Sequence, residues 1–242
     1  MAFQPGPDPN FPYLTHQDRY SFPSPAEAKG DIVALGGNLS PGMLLSAYEQ
    51  GIFPWYNYDD PILWQSPDPR FLLFPEKLHI SASMKKVFKK ETFDTAFDRN
   101  FFAVVGNCAA VERTGQNGTW ITGDMIEAYA ELHRLGWAHS AESYLAGELV
   151  GGCYGIRLGR VFFGESMFAK VSNASKVAFL TLAQSLFSDG VAFIDCQVHT
   201  NHLASLGGEE IRRAAYLSLL HETLAPHRSD DDDRRGSWDA LL

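Results

Sequence analysis

The sequence of 242 residues contains few cysteines, an excess of acidic over basic residues and no long apolar segment. No hydrophobic run reaches the roughly eighteen residues that a membrane-spanning helix needs, and residues 1–12 are rich in proline, unlike a signal peptide. The three cysteines are far apart and form no CxxC pair, which favours reduced thiols over disulfides. We therefore expect a cytoplasmic protein with no membrane partner.

Positive charge is scarce, with one exception. The net charge of −9 argues weakly against nucleic acid as a partner, but residues 77–90 contain five lysines and no acidic residue. Ser81 is a suitable N-cap for a helix that runs through Lys90. On that helix Lys85 and Lys89 share one face, and Lys86 and Lys90 share another. Such a run usually forms a solvated helix face, and a phosphate-binding surface is the alternative.

Hydrophobic periodicity and capping residues predict an α+β fold. A composition shift near residue 70 separates a small N-terminal domain, residues 1–70, from a larger domain, residues 71–242. The first domain is predicted to begin with a poorly ordered proline-rich arm over residues 1–20, and the second to end in an acidic tail from residue 230. Helices are predicted to begin at residues 40, 81, 100, 122 and 172 or 173, and a last helix to cover 210–224. Strands are predicted at 71–74, 92–97, 138–145, 148–156, from 161, and at 191–198, with a flexible turn at 115–118.

Polar groups interrupt two of these apolar strands. Glu165 lies between Phe163 and Met167, and Asp195 and Gln197 lie two residues apart in the run from 191 to 198. Alternation along a strand would place Asp195 and Gln197 on one face. Because an unpaired carboxylate is costly in apolar surroundings, each acid is expected to serve either a structural ion pair or a functional site.

Three familiar catalytic patterns fit the sequence poorly. Residues 164–168 (GESMF) approach the G-x-S-x-G elbow, but Phe168 replaces the second glycine, so Ser166 is a poor candidate nucleophile. His199 and His202 lack a third zinc ligand at suitable spacing, and no basic neighbour would activate Cys196. No metal and no cofactor are therefore expected.

The order strand–strand–strand–helix–strand over residues 138–198 is the arrangement of acetyl-CoA N-acetyltransferases. Those enzymes hold a pyrophosphate on a glycine-rich loop at the start of the helix. Residues 169–174 (AKVSNA) contain no glycine, which disfavours coenzyme A as the acyl donor.

Eight segments in a fixed order resemble the leucyl/phenylalanyl-tRNA–protein transferases, over roughly residues 35–220. They are Gly36–Ser40, Gly51–Tyr56, Trp64–Arg70, Gly118–Thr122, Gly164–Phe168, Asn173–Lys176, Ile194–Gln197 and His202–Gly207.

This resemblance implies a fold and a reaction. The fold would be a small N-terminal domain followed by an acyltransferase domain like that of the acetyltransferases, with a mixed, mostly antiparallel sheet flanked by helices. The enzyme would transfer leucine or phenylalanine, or methionine, from aminoacyl-tRNA to the N-terminal Arg or Lys of acceptor proteins. The product would then be degraded through its new N-terminal residue. We expect a monomer.

The resemblance also assigns residues. The catalytic residues would be Glu165, Asp195 and Gln197. The amino-acid pocket and the contacts to the tRNA end would comprise Trp55, Trp120, Cys153, Met167, Leu182, Leu186 and Ile194. From the basic run, and from Arg70, we expect tRNA contacts at Arg70, Lys85, Lys86, Lys89 and Lys90. Cys153 stands where the family commonly has a bulkier Met or Leu, and Gln65 where a second tryptophan is common, which leaves the choice between leucine and phenylalanine open.

The implied chemistry needs little acid–base assistance. An aminoacyl ester is already activated, so attack by an amine requires mainly orientation and loss of a proton. Gln197 would accept a hydrogen bond from the amine, Asp195 would orient Gln197, and both acids would recognise a cationic acceptor residue. The alternatives are an acyl-CoA N-acyltransferase and a non-enzymatic module that binds the 3′ end of tRNA.

Overall fold

The computed structural model describes residues 5–111 and 120–225. Within these ranges there are seven α-helices and ten strands, and the strands form two sheets. The predicted turn at 115–118 and the acidic tail from residue 230 lie outside the described residues. The strands are β1 (Ile32–Leu35), β2 (Phe53–Pro54), β3 (Leu63–Gln65), β4 (Arg70–Leu73), β5 (Asp94–Phe97), β6 (Ala138–Leu145), β7 (Glu148–Leu158), β8 (Val161–Ala169), β9 (Phe193–Asp195) and β10 (Glu209–Ile211). The helices are α1 (Pro41–Glu49), α2 (Ala82–Lys89), α3 (Phe101–Ala109), α4 (Gly123–Arg134), α5 (Ala174–Ser188), α6 (Asn201–Ser205) and α7 (Arg213–Leu224).

The larger sheet confirms the predicted α+β class with a mixed, mostly antiparallel sheet. Its strand order is β10-β4-β9-β8-β7-β6-β5, and every neighbouring pair is antiparallel except β8 and β9. β6, β7 and β8 form the predicted meander, and α5 then crosses over to the parallel strand β9. A small second sheet has the order β1-β3-β2.

Capping residues were reliable guides to the helix starts. The Ser81 hydroxyl accepts a hydrogen bond from the Met84 amide at 3.2 Å, and the Thr122 hydroxyl accepts one from the Met125 amide at 3.3 Å. α1 begins at Pro41, directly after Ser40, as predicted. These local signals place α1, α2 and α4 within a residue of their predicted starts.

Two element predictions near the C-terminal end were wrong. The strand predicted at 191–198 covers only Phe193–Asp195, so Gln197 lies beyond it. The last helix begins at Arg213 instead of residue 210, because Glu209–Ile211 form the edge strand β10 against β4.

The proline-rich N-terminal segment is not a detached arm over its described part. The Asp8 amide donates to the Gly37 carbonyl at 2.8 Å, and Phe11, Leu14 and Tyr20 pack against the main apolar cluster. The segment approaches α1 so closely that a Cβ at Gly42 would lie 2.4 Å from the Thr15 carbonyl oxygen. The prolines therefore shape an extended segment that is fixed by packing.

One apolar cluster joins α1 and β3 to the large sheet. It contains Tyr48 of α1 and Trp64 of β3, together with Phe163 and Phe193 of the large sheet, all buried. The domain boundary at residue 70 stays a prediction. The shared core nevertheless brings α1 against the strand that carries Glu165.

Candidate active site

Glu165 is the centre of a buried polar cluster. β8 presents its carboxyl group to α1 and α4, where the Tyr48 hydroxyl lies 2.7 Å from Oε1 and the Tyr129 hydroxyl 2.8 Å from Oε2. Gln197 Nε2 donates to Oε1 at 2.8 Å. Burial, the strongest influence, raises the pKa of Glu165 to about 7; the hydrogen bonds from Tyr48 and Tyr129 act in the opposite direction, and Asp195 adds a smaller increase. Two of the three predicted catalytic residues, Glu165 and Gln197, are thus in direct contact.

Asp195 lies behind this pair and is completely buried. Arg70 Nη2 donates to its Oδ2 at 2.8 Å and Arg70 Nε donates to its Oδ1 at 2.9 Å, while the Tyr216 hydroxyl donates to Oδ2 at 2.7 Å. A further hydrogen bond comes from the backbone amide of Gln197 to Oδ1 at 2.9 Å. Asp195 therefore has no free face for an acceptor residue and holds the main chain of Gln197 instead of its side-chain amide.

Arg70 was wrongly expected to contact tRNA. Its guanidinium is completely buried in the ion pair with Asp195, and it lies over the rings of Phe53 and Tyr216, 4.7 Å from each centroid. Its pKa is raised above the ordinary value by Asp195, although burial acts in the opposite direction. The residue is a structural counter-ion of Asp195.

Gln197 reaches Glu165 through an unusual backbone conformation. Its φ of +64° lies in the left-handed region, which costs non-glycine residues free energy and so indicates a constraint imposed by the surroundings. The hydrogen bond to Asp195 and one from the Phe71 amide to the Gln197 carbonyl at 3.2 Å supply that constraint. The sequence predicted that strand alternation would place Gln197 and Asp195 on one face. That reason is wrong, because Gln197 lies after the end of β9 and is held by these two hydrogen bonds instead.

A cavity of about 520 Å³ opens beside Glu165 and Gln197. Its size is typical of sites that enclose small molecules. Five of the seven predicted substrate-binding residues line it: Trp55, Trp120, Cys153, Met167 and Leu182. The other two, Leu186 and Ile194, are completely buried and do not line it, so they support the wall from behind. Sequence reasoning missed several lining residues, among them Phe53, Phe162, Ser175, Phe179 and Thr200.

The remaining titratable groups of the cavity wall are not activated nucleophiles. Burial raises the pKa of the Cys153 and Cys196 thiols well above the ordinary value, so both stay protonated at neutral pH. His202 has its Nε2 buried without a hydrogen-bond partner among the described residues, and burial together with Lys176 lowers its pKa. His202 is therefore a neutral polar group on the cavity wall.

Tyr48, Tyr129 and Tyr216 were not identified from the sequence. Tyr48 and Glu165 are 117 residues apart in the chain, so no local pattern connects them. The one available signal was indirect: a buried tyrosine on an apolar helix face needs a partner for its hydroxyl.

The four lysines, three within α2 and Lys90 directly after it, lie on a different part of the surface. Lys85, Lys86, Lys89 and Lys90 are exposed, whereas Met84 is buried and anchors the helix. α2 lies beside α5 at Val177 and Thr181. The helical period places these two positions on the side of α5 away from the cavity-lining positions 175, 179 and 182.

One group of side chains has the composition of a metal site. The ligand atoms of Asp98, His133 and His139 lie within 4.8 Å of one another. His139 Nδ1 is 2.7 Å from Asp98 Oδ2, and His133 Nδ1 is 2.8 Å from the Ala138 carbonyl, so these nitrogens are engaged in hydrogen bonds. None of the three residues lines the cavity.

The fold and the cavity together define the class of the protein. A three-strand meander, a crossover helix and a parallel strand bring Glu165, and Gln197 just beyond the last strand, to the wall of a largely apolar cavity. This is the architecture of an acyltransferase-type α+β protein.

Among the described residues, no helix has the length and apolar character to cross a bilayer.

Comparison with known proteins identifies the family. The protein-family model described as leucyl/phenylalanyl-tRNA protein transferase matches residues 72–221. The family model described as the N-terminal domain of leucyl/phenylalanyl-tRNA protein transferase matches residues 37–68. A leucyl/phenylalanyl-tRNA–protein transferase of Myxococcus xanthus (strain DK1622) is 50% identical over 90% of this chain and 91% of the relative. A leucyl/phenylalanyl-tRNA–protein transferase of Syntrophobacter fumaroxidans (strain DSM 10017 / MPOB) is 52% identical over 84% of this chain and 86% of the relative.

The chain belongs to the leucyl/phenylalanyl-tRNA–protein transferase family and is an aminoacyltransferase, as its motifs predicted. Among solved structures, a GCN5-related N-acetyltransferase-like protein from Streptococcus suis 89/1591 is similar with a TM-score of 0.34 and 17% identity, covering 59% of each chain. The family assignment does not depend on that similarity.

Proposed function

We propose that this protein transfers leucine or phenylalanine, or methionine, from aminoacyl-tRNA to the N-terminal Arg or Lys of an acceptor protein. The observation that carries the proposal is the position of the Glu165–Gln197 pair on the wall of a cavity that is otherwise largely apolar. Membership of the family supports the same reaction. The new N-terminal residue then marks the acceptor for degradation.

The donor's amino acid occupies the apolar part of the cavity. Cys153 and Met167 face each other on β7 and β8, and Leu182 of α5 completes this wall. A hydrophobic side chain is favoured there because it removes apolar surface from water. The rings of Trp55 and Trp120 on the same cavity suit stacking against the terminal base of the tRNA.

The acceptor approaches the part of the cavity wall that Glu165 and Gln197 form. Glu165 lies on the cavity wall and provides the negative charge for an arginine or lysine side chain, while the Gln197 carboxamide orients the attacking amine. Asp195 does not touch the acceptor in this scheme. It keeps Gln197 in place through the backbone hydrogen bond.

Catalysis then rests on positioning. The amine attacks the ester carbonyl carbon, the new amide bond forms, and the ribose oxygen leaves with the proton that the amine loses. Gln197 is too weakly basic to retain that proton, and the two cavity thiols are protonated, so no enzyme-bound acyl intermediate is required.

The body of the tRNA contacts α2. The exposed Lys85, Lys86 and Lys89 of α2, with Lys90 directly after it, can bind backbone phosphates of the acceptor stem while the 3′ end enters the cavity. Such contacts do not read sequence, which suits a donor drawn from several tRNA species.

The direct test uses radiolabelled leucine on tRNA and a peptide that begins with arginine. We expect label in the peptide, no transfer to the same peptide with an acetylated N-terminus, and none from leucyl-coenzyme A. Transfer from the thioester but not from tRNA would replace this proposal with an acyl-CoA transferase. Binding of charged tRNA without transfer to any peptide would leave only a tRNA-binding role.

A further inference from the structure

The three oxygen contacts around Glu165 need more protons than the two tyrosines can supply. The Tyr48 hydroxyl lies 2.7 Å from Oε1, the Tyr129 hydroxyl 2.8 Å from Oε2, and the two hydroxyl oxygens lie 2.5 Å apart. Each contact is at hydrogen-bonding distance and requires one proton, because two bare oxygens at such a separation repel each other. Each phenol has a single proton, so one contact would remain empty if Glu165 were ionised.

We propose that Glu165 carries a proton in the acceptor-free enzyme, that Tyr48 and Tyr129 are the positioning residues that hold it there, and that a cationic acceptor residue binds as this proton leaves. The part concerning the acceptor rests on the proposed function. The part concerning the proton rests on the three contacts alone.

With this proton in place the hydrogen bonds form a closed ring. Glu165 donates from Oε2 to Tyr129, Tyr129 donates to Tyr48, and Tyr48 donates to Oε1. The Gln197 amide donates to Oε1 from outside the ring. All three contacts are then filled, which a buried polar cluster requires for stability.

The surrounding charges are consistent with a neutral carboxyl group. Glu165 is 8% exposed and faces Tyr48 of α1, Tyr129 of α4, Asp195 of β9 and Arg70 of β4. Burial and Asp195 raise its pKa, whereas Arg70 lowers it and is itself neutralised by its ion pair with Asp195. If both tyrosines donated to an ionised Glu165, they would lower its pKa. Their two protons would then serve the two contacts with the carboxylate, and the contact between the two hydroxyl oxygens would have no proton. Tyr154 of β7 adds a further phenol, because its ring contacts that of Tyr129.

Acceptor binding then exchanges one positive charge for another. A proton passes from Glu165 through the cavity to solvent, and the cationic side chain of the acceptor pairs with the carboxylate that remains. After the exchange both tyrosines donate to the carboxylate, and the contact between their oxygens opens. Below the pKa of Glu165 the apparent KM for the acceptor should therefore fall about tenfold for each unit of rising pH.

Infrared spectroscopy of the substrate-free enzyme tests the proton directly. We expect a carboxylic-acid C=O band below pH 7 that disappears as the pH rises and is absent from Glu165→Gln. Tyr48→Phe should move the midpoint of this titration to lower pH, because the ring that needs the third proton is broken. Tyr56→Phe, which removes a buried hydroxyl outside the ring, should leave the midpoint unchanged. Absence of the band at every pH would overturn the proposal. A midpoint that Tyr48→Phe leaves unchanged or raises would show that burial alone holds the proton and would overturn the role of the tyrosines.

Kinetics test the exchange. The KM for a peptide with N-terminal arginine should depend on pH in the wild-type enzyme with the midpoint seen by infrared, and this midpoint should move with Tyr48→Phe. Titration of the peptide's own amine would not move with that variant. A KM independent of pH, alongside a normal infrared titration, would refute the exchange while leaving the transfer reaction intact.

Discussion

At the residue scale, the ion pair Arg70–Asp195 has no contact with solvent, and it holds the backbone of Gln197 through Asp195. Both side chains are completely buried, and the pair fixes β4 to β9 next to Gln197. Removing one member of such a pair leaves an uncompensated charge in the interior.

We predict that Asp195→Ala lowers the free energy of unfolding by about 3–5 kcal/mol. Its transfer rate should also fall at temperatures where it remains folded, because Gln197 loses the acceptor of its backbone amide. Urea denaturation and transfer assays measure the two effects. Glu49→Ala is the control, since the partly exposed pair Arg19–Glu49 should contribute less than about 1 kcal/mol. An Asp195→Ala enzyme as stable as the control would refute the structural role.

The apolar wall of the cavity should set the choice of amino acid. Cys153 is small, lies opposite Met167 and lines the cavity. Cys153→Met should therefore lower phenylalanine transfer relative to leucine transfer, by a discrimination of about 1–3 kcal/mol. Competition between the two charged tRNAs measures the ratio of kcat/KM values. Cys108→Met changes a buried cysteine that does not line the cavity and should not alter that ratio in the folded fraction.

The residues of the site were only partly accessible from the sequence. Glu165 and Gln197 were identified because polar groups in apolar runs are exceptional, and the family motifs named the same residues. Their partners come from distant segments: Arg70 is 125 residues from Asp195, and Tyr129 is 36 residues from Glu165. Without such contacts in view, Arg70 looked like a surface cation for tRNA.

At the element scale, α2 and the residue that follows it combine an anchored face with four exposed lysines. Met84 is buried in an apolar cluster that also contains Phe71 and Val177, and Val87 and Phe88 pack against it. The lysines are therefore presented by a fixed helix. The helix was predicted correctly because its cap and its spacing are local. The edge strand β10 was missed because Glu209–Ile211 is short and has two acids, and only its pairing with β4 makes it a strand.

Reversing charge on α2 should weaken tRNA binding without affecting chemistry. We predict that the double variant Lys85→Glu, Lys89→Glu raises the KM for aminoacyl-tRNA and flattens the slope of log affinity against log salt, by somewhat under about one unit for each phosphate that is no longer bound. Transfer from an aminoacyl-adenosine, which has no stem, should be unchanged. Lys29→Glu reverses one exposed lysine outside α2 and is the charge-matched control for the single variant Lys85→Glu, which should show part of the same effect. An equal reduction in transfer from both donors would exclude the docking role.

At the scale of the whole molecule, Glu165 links stability to pH. Its pKa is raised from an ordinary value of 4.5 to about 7, so between these values the folded state binds more protons than the unfolded state. The contribution of Glu165 to stability is therefore greatest at low pH and falls as the pH rises from 4.5 to 7, by up to about 1.4 kcal/mol per unit.

Comparison of the wild type with Glu165→Gln isolates this effect. The difference between their free energies of unfolding should shift in favour of the Gln variant as the pH rises through that window. The histidines with lowered pKa values, His139 and His202, contribute equally to both proteins and cancel. A difference that does not change with pH would mean that Glu165 titrates normally.

The most direct measurement of the whole account is a crystal structure with phenylalanyl-adenosine whose ester is replaced by a stable amide. We predict that the phenylalanyl side chain lies between Cys153, Met167 and Leu182, with its carbonyl carbon beside the Gln197 amide and the adenine against Trp55 or Trp120. Density for the analogue outside the cavity, or with the amino acid directed away from Glu165 and Gln197, would contradict the account.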